Sequence, residues 1–242
     1  MAQWRGKFLP LQCPVCHLAL PAQHALCCDA CWDAHHQYLL CRCCGLPVSV
    51  PKARCGACLS QPPDWDRLVA ISGYHDPLPQ LIHAFKYQRA FELALPFAQQ
   101  LSDRIVDPAP VLLPVPLHWR RRWQRGFNQS LHLAWALTDN LDTQVVDTYL
   151  SRARHTAPQQ GLSRQDRLRN LRGAFVLNGP LPASHVAIVD DVVTTGQTVS
   201  QLCRLLRTAG AKTIDVYCLA RTDLPNGKRA IRAYKVAIWF EG

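Results

Sequence analysis

The stretch His185-Val-Ala-Ile-Val-Asp-Asp-Val-Val-Thr-Thr-Gly-Gln-Thr-Val199 decides the fold of this chain. An apolar run, Val186 to Val189, leads into the adjacent carboxylates Asp190 and Asp191. Such a short apolar run predicts a strand that is buried on both faces. After a Thr-Thr-Gly turn, apolar residues recur at helical spacing as far as Gly210, which predicts a helix. The stretch therefore predicts the strand, turn and helix of an α/β fold.

The turn between this strand and this helix is suited to a sugar phosphate. The first amides of a helix have no internal partner and carry its positive end, so they attract a phosphate. The acidic pair suits vicinal sugar hydroxyls, because a carboxylate accepts two hydrogen bonds side by side. A plain strand–turn–helix with solvated acids is the alternative, since acids are common near helix starts. The order of the parts favours a site for a sugar 5-phosphate.

The composition indicates a soluble protein with an anionic ligand. The 242 residues, 48% of them hydrophobic, suffice for one core and a small appended module. The net charge is +10, and 21 of the 27 basic residues are Arg, whose fork matches phosphate oxygens. Residues 1–20 lack a signal peptide core, and no apolar run is long enough to span a membrane. We therefore expect a cytoplasmic protein without disulfides.

The N-terminal cysteines predict metal sites. Ten of the 12 cysteines lie between Cys13 and Cys58. A C-x-x-C turn supplies two thiolates, and two turns complete a tetrahedral zinc site, so we favour zinc over redox-active or merely buried thiols. A closed four-cysteine site has a structural or docking role, and the metal would stabilise so small a module. Sequential pairing is the simplest arrangement, and a crossed pairing stays open. The four pairs are Cys13/Cys16, Cys28/Cys31, Cys41/Cys44 and Cys55/Cys58.

Strand and helix signals alternate from Trp65 onward. This alternation predicts a doubly wound, mostly parallel sheet with helices on both faces. In such a sheet ligands bind at the carboxyl ends of the strands, where Asp190 and Asp191 would lie. The predicted strands besides the opening one are 66–74, 111–117, 145–150, 174–177 and 214–220. The predicted helical regions are 78–105, with a break near Arg89 and Pro96, and 128–141.

Two basic stretches follow predicted strands. Between Arg120 and Arg172 there are ten basic and four acidic residues, so +6 of the net charge of +10 lies there. Converging cations of this kind could hold a diphosphate. Trp119 and Trp123 stand among the arginines, and such interleaving also permits stacking of single-stranded nucleic acid. A solvated basic face is the ordinary alternative, and these stretches alone do not separate a small ligand from a polymer.

Several motifs in order resemble known families. Residues 185–199 resemble the phosphoribosyl-diphosphate (PRPP) motif of type I phosphoribosyltransferases, and roughly residues 11–221 resemble the ComF family. The motifs that carry the second resemblance are the cysteine module, Lys86-Tyr87, Pro114-Val-Pro-Leu117, Arg125-Gly-Phe-Asn-Gln129, Thr156…Gln160…Arg167…Asn170 and Asp190-Asp-Val-Val-Thr-Thr-Gly196.

The resemblance implies a division of the chain and a set of binding roles. It implies a zinc-binding cysteine module at 1–64 and a type I phosphoribosyltransferase domain at 65–221. Residues 222–242 depart from the family pattern as a C-terminal extension, with a candidate strand at 234–240. Asp190 and Asp191 would be the catalytic acids that hold the ribose hydroxyls, and segment 152–172 would be a mobile lid. The remaining PRPP-binding residues would be Lys86, then Thr194, Thr195, Gly196, Gln197 and Thr198 at the 5-phosphate, and Pro114, Val115, Arg120, Arg121 and Arg125 around diphosphate and Mg2+.

The resemblance also implies a function. Family members are linked to natural transformation and the use of external DNA. The phosphoribosyltransferase domain implies transfer of phosphoribosyl to a base or nucleotide-type acceptor in nucleotide metabolism, and the family name does not identify that acceptor. Structural zinc and Mg2+ with PRPP would be its cofactors. Single-stranded DNA, and DNA-uptake proteins bound through the zinc module, are further candidate partners. The alternative is a non-catalytic nucleic-acid-binding accessory factor, and a weaker one is a PRPP-sensing transcription regulator, for which no helix-turn-helix segment is evident.

Overall fold

A parallel β-sheet organises residues 67–221. The computed structural model describes residues 12–13, 15–20, 26–35, 39–117, 126–152 and 174–222. The described helices are α1 (Asp29–His35), α2 (Gly56–Ser60), α3 (Leu78–Tyr87), α4 (Ala94–Ser102), α5 (Gln129–Thr138) and α6 (Gln197–Thr208), with a 3-10 turn at Phe91–Leu93. The described strands are β1 (Leu39–Leu40), β2 (Pro47–Val48), β3 (Arg67–Gly73), β4 (Val111–Pro114), β5 (Gln144–Val145), β6 (Leu150–Arg152), β7 (Phe175–Leu177), β8 (His185–Val193) and β9 (Thr213–Arg221).

The main sheet has the strand order β3-β9-β8-β4-β5, and every neighbouring pair is parallel. The predicted parallel sheet is therefore confirmed. Strand β8 lies at its centre and is longer than the apolar run alone indicates. It continues past the acidic pair because Val192 and Val193 still pair with Ala220 and Arg221 of β9.

Helices cover both faces of the sheet, as a doubly wound fold requires. On one face, α3, α4 and α5 bury a cluster that includes Phe85, Phe97 and Leu133. On the other face, α6 buries Leu202 and Leu206 beside the antiparallel pair β6–β7. Each fully buried side chain of this kind contributes about 1.5–3 kcal/mol to folding, so these two layers hold β8 rigidly.

The helical region before β4 is interrupted between α3 and α4, in the region of Arg89 and Pro96 where a break is predicted. The chain leaves α3 at Arg89, which adopts a positive φ of 56°. Pro96 itself lies just inside the second helix, in the first turn of α4. A proline is tolerated there because the first-turn amides have no partner within the helix.

The strand predicted at 145–150 is divided into two short strands. Strand β5 ends the main sheet, whereas β6 pairs antiparallel with β7 outside it. The exposed residues Asp147 and Thr148 separate the two strands. Polar, solvent-facing residues have no place in a buried parallel strand, so the chain leaves the sheet at this point.

The two halves of the cysteine module pack on different faces of the sheet. The first half contacts the α3–α5 face through Leu26 and Trp32. The second half contains the β1–β2 hairpin and α2, and Leu40 packs toward the α6 face. The candidate strand at 234–240 lies outside the described residues. Of the helices described, none has the length and apolar character needed to traverse a bilayer.

Candidate functional site

The acidic pair and the residues that follow it form a recess at the carboxyl end of β8. Asp190 and residues 192–199 line this recess. Gly196 stands at the N-cap of α6 with a φ of 75°, a left-handed conformation that glycine adopts without strain. A glycine has no side chain to cap the helix, and the amide of Gln197 has only a 3.5 Å contact with Oγ1 of Thr195. The start of α6 is therefore suited to an anionic ligand.

The predicted phosphate-binding residues all belong to this recess. Thr194 is exposed, whereas Thr195, Gln197 and Thr198 are partly buried. The side-chain Oε1 of Gln197 is buried and has no hydrogen-bond partner among the described residues. A rotation of this amide would turn its N–H groups toward the recess, where they could donate to an anion.

Asp190 is the central acid of the site. Its Oδ1 accepts a hydrogen bond from the hydroxyl of Ser130 at 3.3 Å and from the amide of Asp191 at 2.9 Å. Burial and the adjacent Asp191 raise the pKa of Asp190 to about 7, against the opposing effect of Lys86. A carboxyl group with such a pKa changes its charge near neutral pH.

Lys86 reaches the acidic pair from a different element. Its Nζ lies 2.9 Å from Oδ1 of Asp191, and both side chains are largely buried. The amide Nε2 of Gln129, at the start of α5, donates to the carbonyl of Lys86 at 3.1 Å. The end of α3, the start of α5 and the end of β8 therefore meet at one point, as the predicted role of Lys86 requires.

The predicted Pro114–Val115 turn also lies beside the acidic pair. Pro114 pairs with Val189 across the sheet, and the amide of Val115 donates to the carbonyl of Val189 at 2.9 Å. Asn128, the N-cap of α5, donates from its side chain to the carbonyl of Val115 at 3.1 Å. The predicted Arg120, Arg121 and Arg125 lie outside the described residues, as does segment 153–173, which holds almost all of the predicted lid.

The eight predicted cysteine ligands form two tetrads. Within each tetrad the four Sγ atoms lie within 4.8 Å of one another. The Sγ atoms of Cys16 and Cys28 are 3.6 Å apart, and so are those of Cys44 and Cys55. These distances are too long for disulfides. They fit a tetrahedron around zinc, whose sulfur–sulfur edge is about 3.8 Å for Zn–S bonds of about 2.3 Å. The sets are sequential: Cys13, Cys16, Cys28 and Cys31 form the first tetrad, and Cys41, Cys44, Cys55 and Cys58 form the second.

Sequence reasoning missed three residues that shape this site. Ser130 directly follows the Arg125–Gln129 motif, and its place in the first turn of α5 could have indicated a site residue. Trp65 and Arg221 lie at the two ends of the predicted second domain, 156 positions apart in number, and both contact the 194–198 loop region. No local sequence pattern links either of them to the motif, because each contact is set by the packing of segments that are distant in sequence.

The sheet, the acidic pair and the Thr-Thr-Gly helix start define a class: the type I phosphoribosyltransferase fold. The family model described as "Phosphoribosyl transferase domain" matches residues 128–240. A solved hypoxanthine phosphoribosyltransferase from Staphylococcus aureus is a weak structural neighbour, with a TM-score of 0.31, 17% identity, and coverage of 60% of this chain and 68% of that one.

Relatives over nearly the whole chain define the family. The "DNA utilization protein YhgH" of Salmonella typhimurium is 41% identical over 230 residues, which cover 88% of this chain and 98% of the relative. "Competence protein F" of Haemophilus influenzae is 37% identical over 205 residues, covering 80% of this chain and 90% of the relative. The chain belongs to the ComF family of phosphoribosyltransferase-domain proteins.

Proposed function

We propose that this protein binds PRPP with Mg2+ at the recess formed by Asp190 and residues 192–199. The observation that carries the proposal is the placement of an acidic pair directly before an uncapped helix start. The helix start would receive the 5-phosphate, and Asp190 and Asp191 would accept hydrogen bonds from the ribose hydroxyls. Pro114 and Val115, beside the acidic pair, would face the diphosphate, to which Mg2+ supplies compensating charge.

The reaction that this arrangement supports is phosphoribosyl transfer. The bond between the anomeric carbon and the diphosphate oxygen breaks, and diphosphate leaves with the electron pair. A nitrogen atom of the acceptor then forms the new bond to that carbon and releases its proton. The protein needs no nucleophile of its own, so Asp190 and Asp191 act by holding the sugar while positive charge develops on it. A base or nucleotide-type molecule is the acceptor class we propose.

Each cysteine tetrad would hold one structural zinc ion. The S–S distances support this assignment, since four thiolates at tetrahedral spacing leave no open position for a substrate. We therefore assign the zinc ions a role in folding and docking. DNA-uptake proteins are the docking partners that the relatives' names favour.

Binding of single-stranded DNA is the second candidate function. The names of the relatives, which refer to DNA utilization and competence, favour it, as does the net charge of +10. It is compatible with PRPP binding and would not require turnover. Its signature is an affinity that falls steeply with salt, because bound Lys and Arg release counterions from the phosphates.

Calorimetric titration of PRPP with Mg2+ tests the principal proposal. We expect binding to the wild type and a loss of at least about 100-fold in affinity for Asp190→Ala/Asp191→Ala, about 2.7 kcal/mol. Asp142→Ala, at an exposed loop position, is the matched control and should bind as the wild type does. Equal affinity in all three proteins, or none in any of them, contradicts the proposal.

Turnover and DNA binding need separate assays. Incubation with PRPP, Mg2+ and a panel of bases and nucleotides, with diphosphate release as the readout, identifies a transferase and its acceptor class. Gel-shift titrations with single-stranded DNA at two salt concentrations test the second candidate. DNA binding without diphosphate release favours the accessory function, whereas salt-independent or absent DNA binding removes its support.

A further inference from the structure

Trp65 connects the second tetrad to the 194–198 loop. Its indole N–H donates to the carbonyl of Cys43 at 2.7 Å, and the residue is only 6% exposed. The opposite edge of the ring lies against Gly196, where a Cβ atom would be 2.8 Å from Cη2 of Trp65. Cys43 directly precedes the tetrad ligand Cys44, so one side chain separates a metal-ligating turn from the backbone of the loop.

Arg221 makes a second connection between the same two places. Its Nε donates to the carbonyl of Cys44 at 3.1 Å, and its Nη1 donates to the carbonyl of Val193 at 2.8 Å. The residue is 4% exposed, although it carries a charge. Val193 is the last residue of β8 and immediately precedes the loop. The guanidinium group therefore fixes the start of the loop to the carbonyl of a tetrad cysteine.

The residues around Trp65 hold it along the helix that follows the loop. Asp66 accepts hydrogen bonds from Arg207 of α6 at 2.5 Å and from the amide of Ile214 at 2.7 Å. Asp64 pairs with Arg204 of the same helix at 3.1 Å. The segment 64–66 is thus attached to α6, and this attachment positions the backbone that carries the indole.

The second tetrad itself packs tightly on the sheet. Gly45 has a φ of 70°, and a Cβ atom there would overlap Cδ2 of Leu68 in β3. The amide of Gly45 donates to the carbonyl of Cys41, which closes the turn that carries Cys43 and Cys44. A metal ion bound by Cys41 and Cys44 would hold this turn, and with it the two carbonyls that Trp65 and Arg221 contact.

We propose that Trp65 and Arg221 are positioning residues that make the shape of the 194–198 loop depend on metal binding at the second tetrad. Among its described residues, the first half of the module packs through Leu26 and Trp32 on the other face of the sheet, so we expect no such role for the first tetrad. The identity of the loop's ligand as PRPP rests on the proposed function, but the dependence of the loop on the tetrad is measurable without any ligand.

The test compares matched cysteine variants in the full chain. Cys55→Ser removes a ligand from the second tetrad and Cys28→Ser removes one from the first; both residues are partly buried. Metal content is measured by mass spectrometry, and amide hydrogen exchange is followed at residues 193–199. We expect Cys55→Ser to accelerate exchange there about tenfold or more, and to weaken PRPP binding by a similar factor, whereas Cys28→Ser changes both less than about twofold.

Two further variants keep both tetrads intact, so they test the proposal even if the Cys55→Ser protein fails to fold. Trp65→Phe loses both the N–H donor and the outer edge of the indole that lies against Gly196, and Arg221→Lys retains charge but cannot span both carbonyls. Each should accelerate loop exchange severalfold with metal content unchanged. Unchanged exchange in Trp65→Phe and Arg221→Lys overturns the proposal, as does equal acceleration in Cys55→Ser and Cys28→Ser. Failure of the wild type to bind PRPP contradicts the proposed function, and the exchange result then still decides whether the tetrad positions the loop.

Discussion

Lys86 Nζ and Asp191 Oδ1 lie 2.9 Å apart, with only 18% and 14% of their side chains exposed. This ion pair joins the last turn of α3 to the carboxyl end of β8, which are separated by more than 100 residues of sequence. It places one positive charge beside two adjacent carboxyl groups. The pKa of Asp190 therefore depends on a lysine from outside the motif.

Replacement of Lys86 by Gln should shift the pH dependence of PRPP binding to higher pH. The ammonium group lowers the pKa of Asp190 against the effects of burial and of Asp191, so its removal lets that pKa rise further. A ribose hydroxyl needs an ionised acceptor, and we expect the midpoint of binding to move upward by roughly 0.5–1 pH unit. Titration calorimetry between pH 5.5 and 9 measures the midpoint. Lys52→Gln, at an exposed lysine, is the control, and equal midpoints in both variants would contradict the assigned role of Lys86.

Asp190→Asn should stabilise the unliganded protein more at high pH than at low pH. The pKa of Asp190 is raised to about 7 in the folded state, whereas in the unfolded chain it is near its ordinary value. Between about pH 4 and pH 7 the folded wild type retains a proton that the unfolded chain has lost, so its free energy of unfolding falls as pH rises. Asparagine carries no such penalty. We expect the variant to gain on the order of 2 kcal/mol over the wild type between pH 5 and 8.

Urea denaturation at several pH values measures this gain. Asp142→Asn, at an exposed aspartate, should show a constant difference from the wild type across the range. A stability difference for Asp190→Asn that does not grow with pH shows that Asp190 is ionised in the folded protein throughout.

Gly196→Ala should destabilise the protein more than Gly210→Ala does. Both glycines have positive φ, 75° and 101°, so both substitutions incur backbone strain of about 1–3 kcal/mol. Only at Gly196 would the new methyl group also meet Trp65, at 2.8 Å, since nothing lies within 4 Å at Gly210. We expect an additional cost of about 1–3 kcal/mol from this overlap and a loss of PRPP binding. Thermal unfolding measures the loss of stability, and calorimetry measures the loss of PRPP binding. Equal stability losses for Gly196→Ala and Gly210→Ala would show that Trp65 moves aside at little cost in free energy.

Removal of Arg67 should lower the free energy of unfolding, because Arg67 is a main partner of the buried Asp215 carboxylate. Asp215 is 1% exposed at the start of β9, and Arg67 contacts both of its oxygens while His185 and Tyr217 supply further hydrogen bonds. Arg67→Ala should lower the free energy of unfolding by about 3 kcal/mol, because it leaves a buried charge with too few partners. Arg204→Ala removes one partner of the Asp64 pair with an arginine side chain that is 71% exposed, and should cost less than about 1 kcal/mol. Chemical denaturation of both variants gives the comparison, and similar losses would contradict this account.

The sequence was sufficient to predict the layers of the fold. The apolar run before Asp190 predicted strand β8, because a strand that is buried on one face has apolar residues at every second position and one buried on both faces has a continuous apolar run. The spacing of apolar residues after Gly196 predicted α6, because a helix with one buried face has apolar residues at a period of 3.6. The ends of the elements were harder to predict, because the burial pattern does not determine where a strand or helix stops. Strand β8 runs past its apolar residues because β9 continues beside it. Helix α4 already includes Pro96, because a proline is tolerated in the first turn.

The site was predictable where its residues adjoin in sequence. Residues 190–198 are contiguous at the end of β8, the turn after it and the start of α6, so their motif could be read directly. Lys86 and Val115 were placed by resemblance, and the structure brings both to the acidic pair. Ser130, Trp65 and Arg221 were not foreseen, since each acts through a contact set by strand order or helix packing, which a single sequence does not encode in any local pattern.

The burial of Trp65 beneath the second tetrad has a consequence for dividing this protein into pieces. The expected boundary at 64/65 would be a poor place to cut, because a fragment that begins at Trp65 loses the carbonyls of Cys43 and Cys44 that satisfy its indole and the guanidinium of Arg221. It would present an apolar ring to water, and we expect it to aggregate. A fragment that begins at Leu39 keeps these partners, so excision there should yield a soluble unit even though it leaves the first tetrad behind.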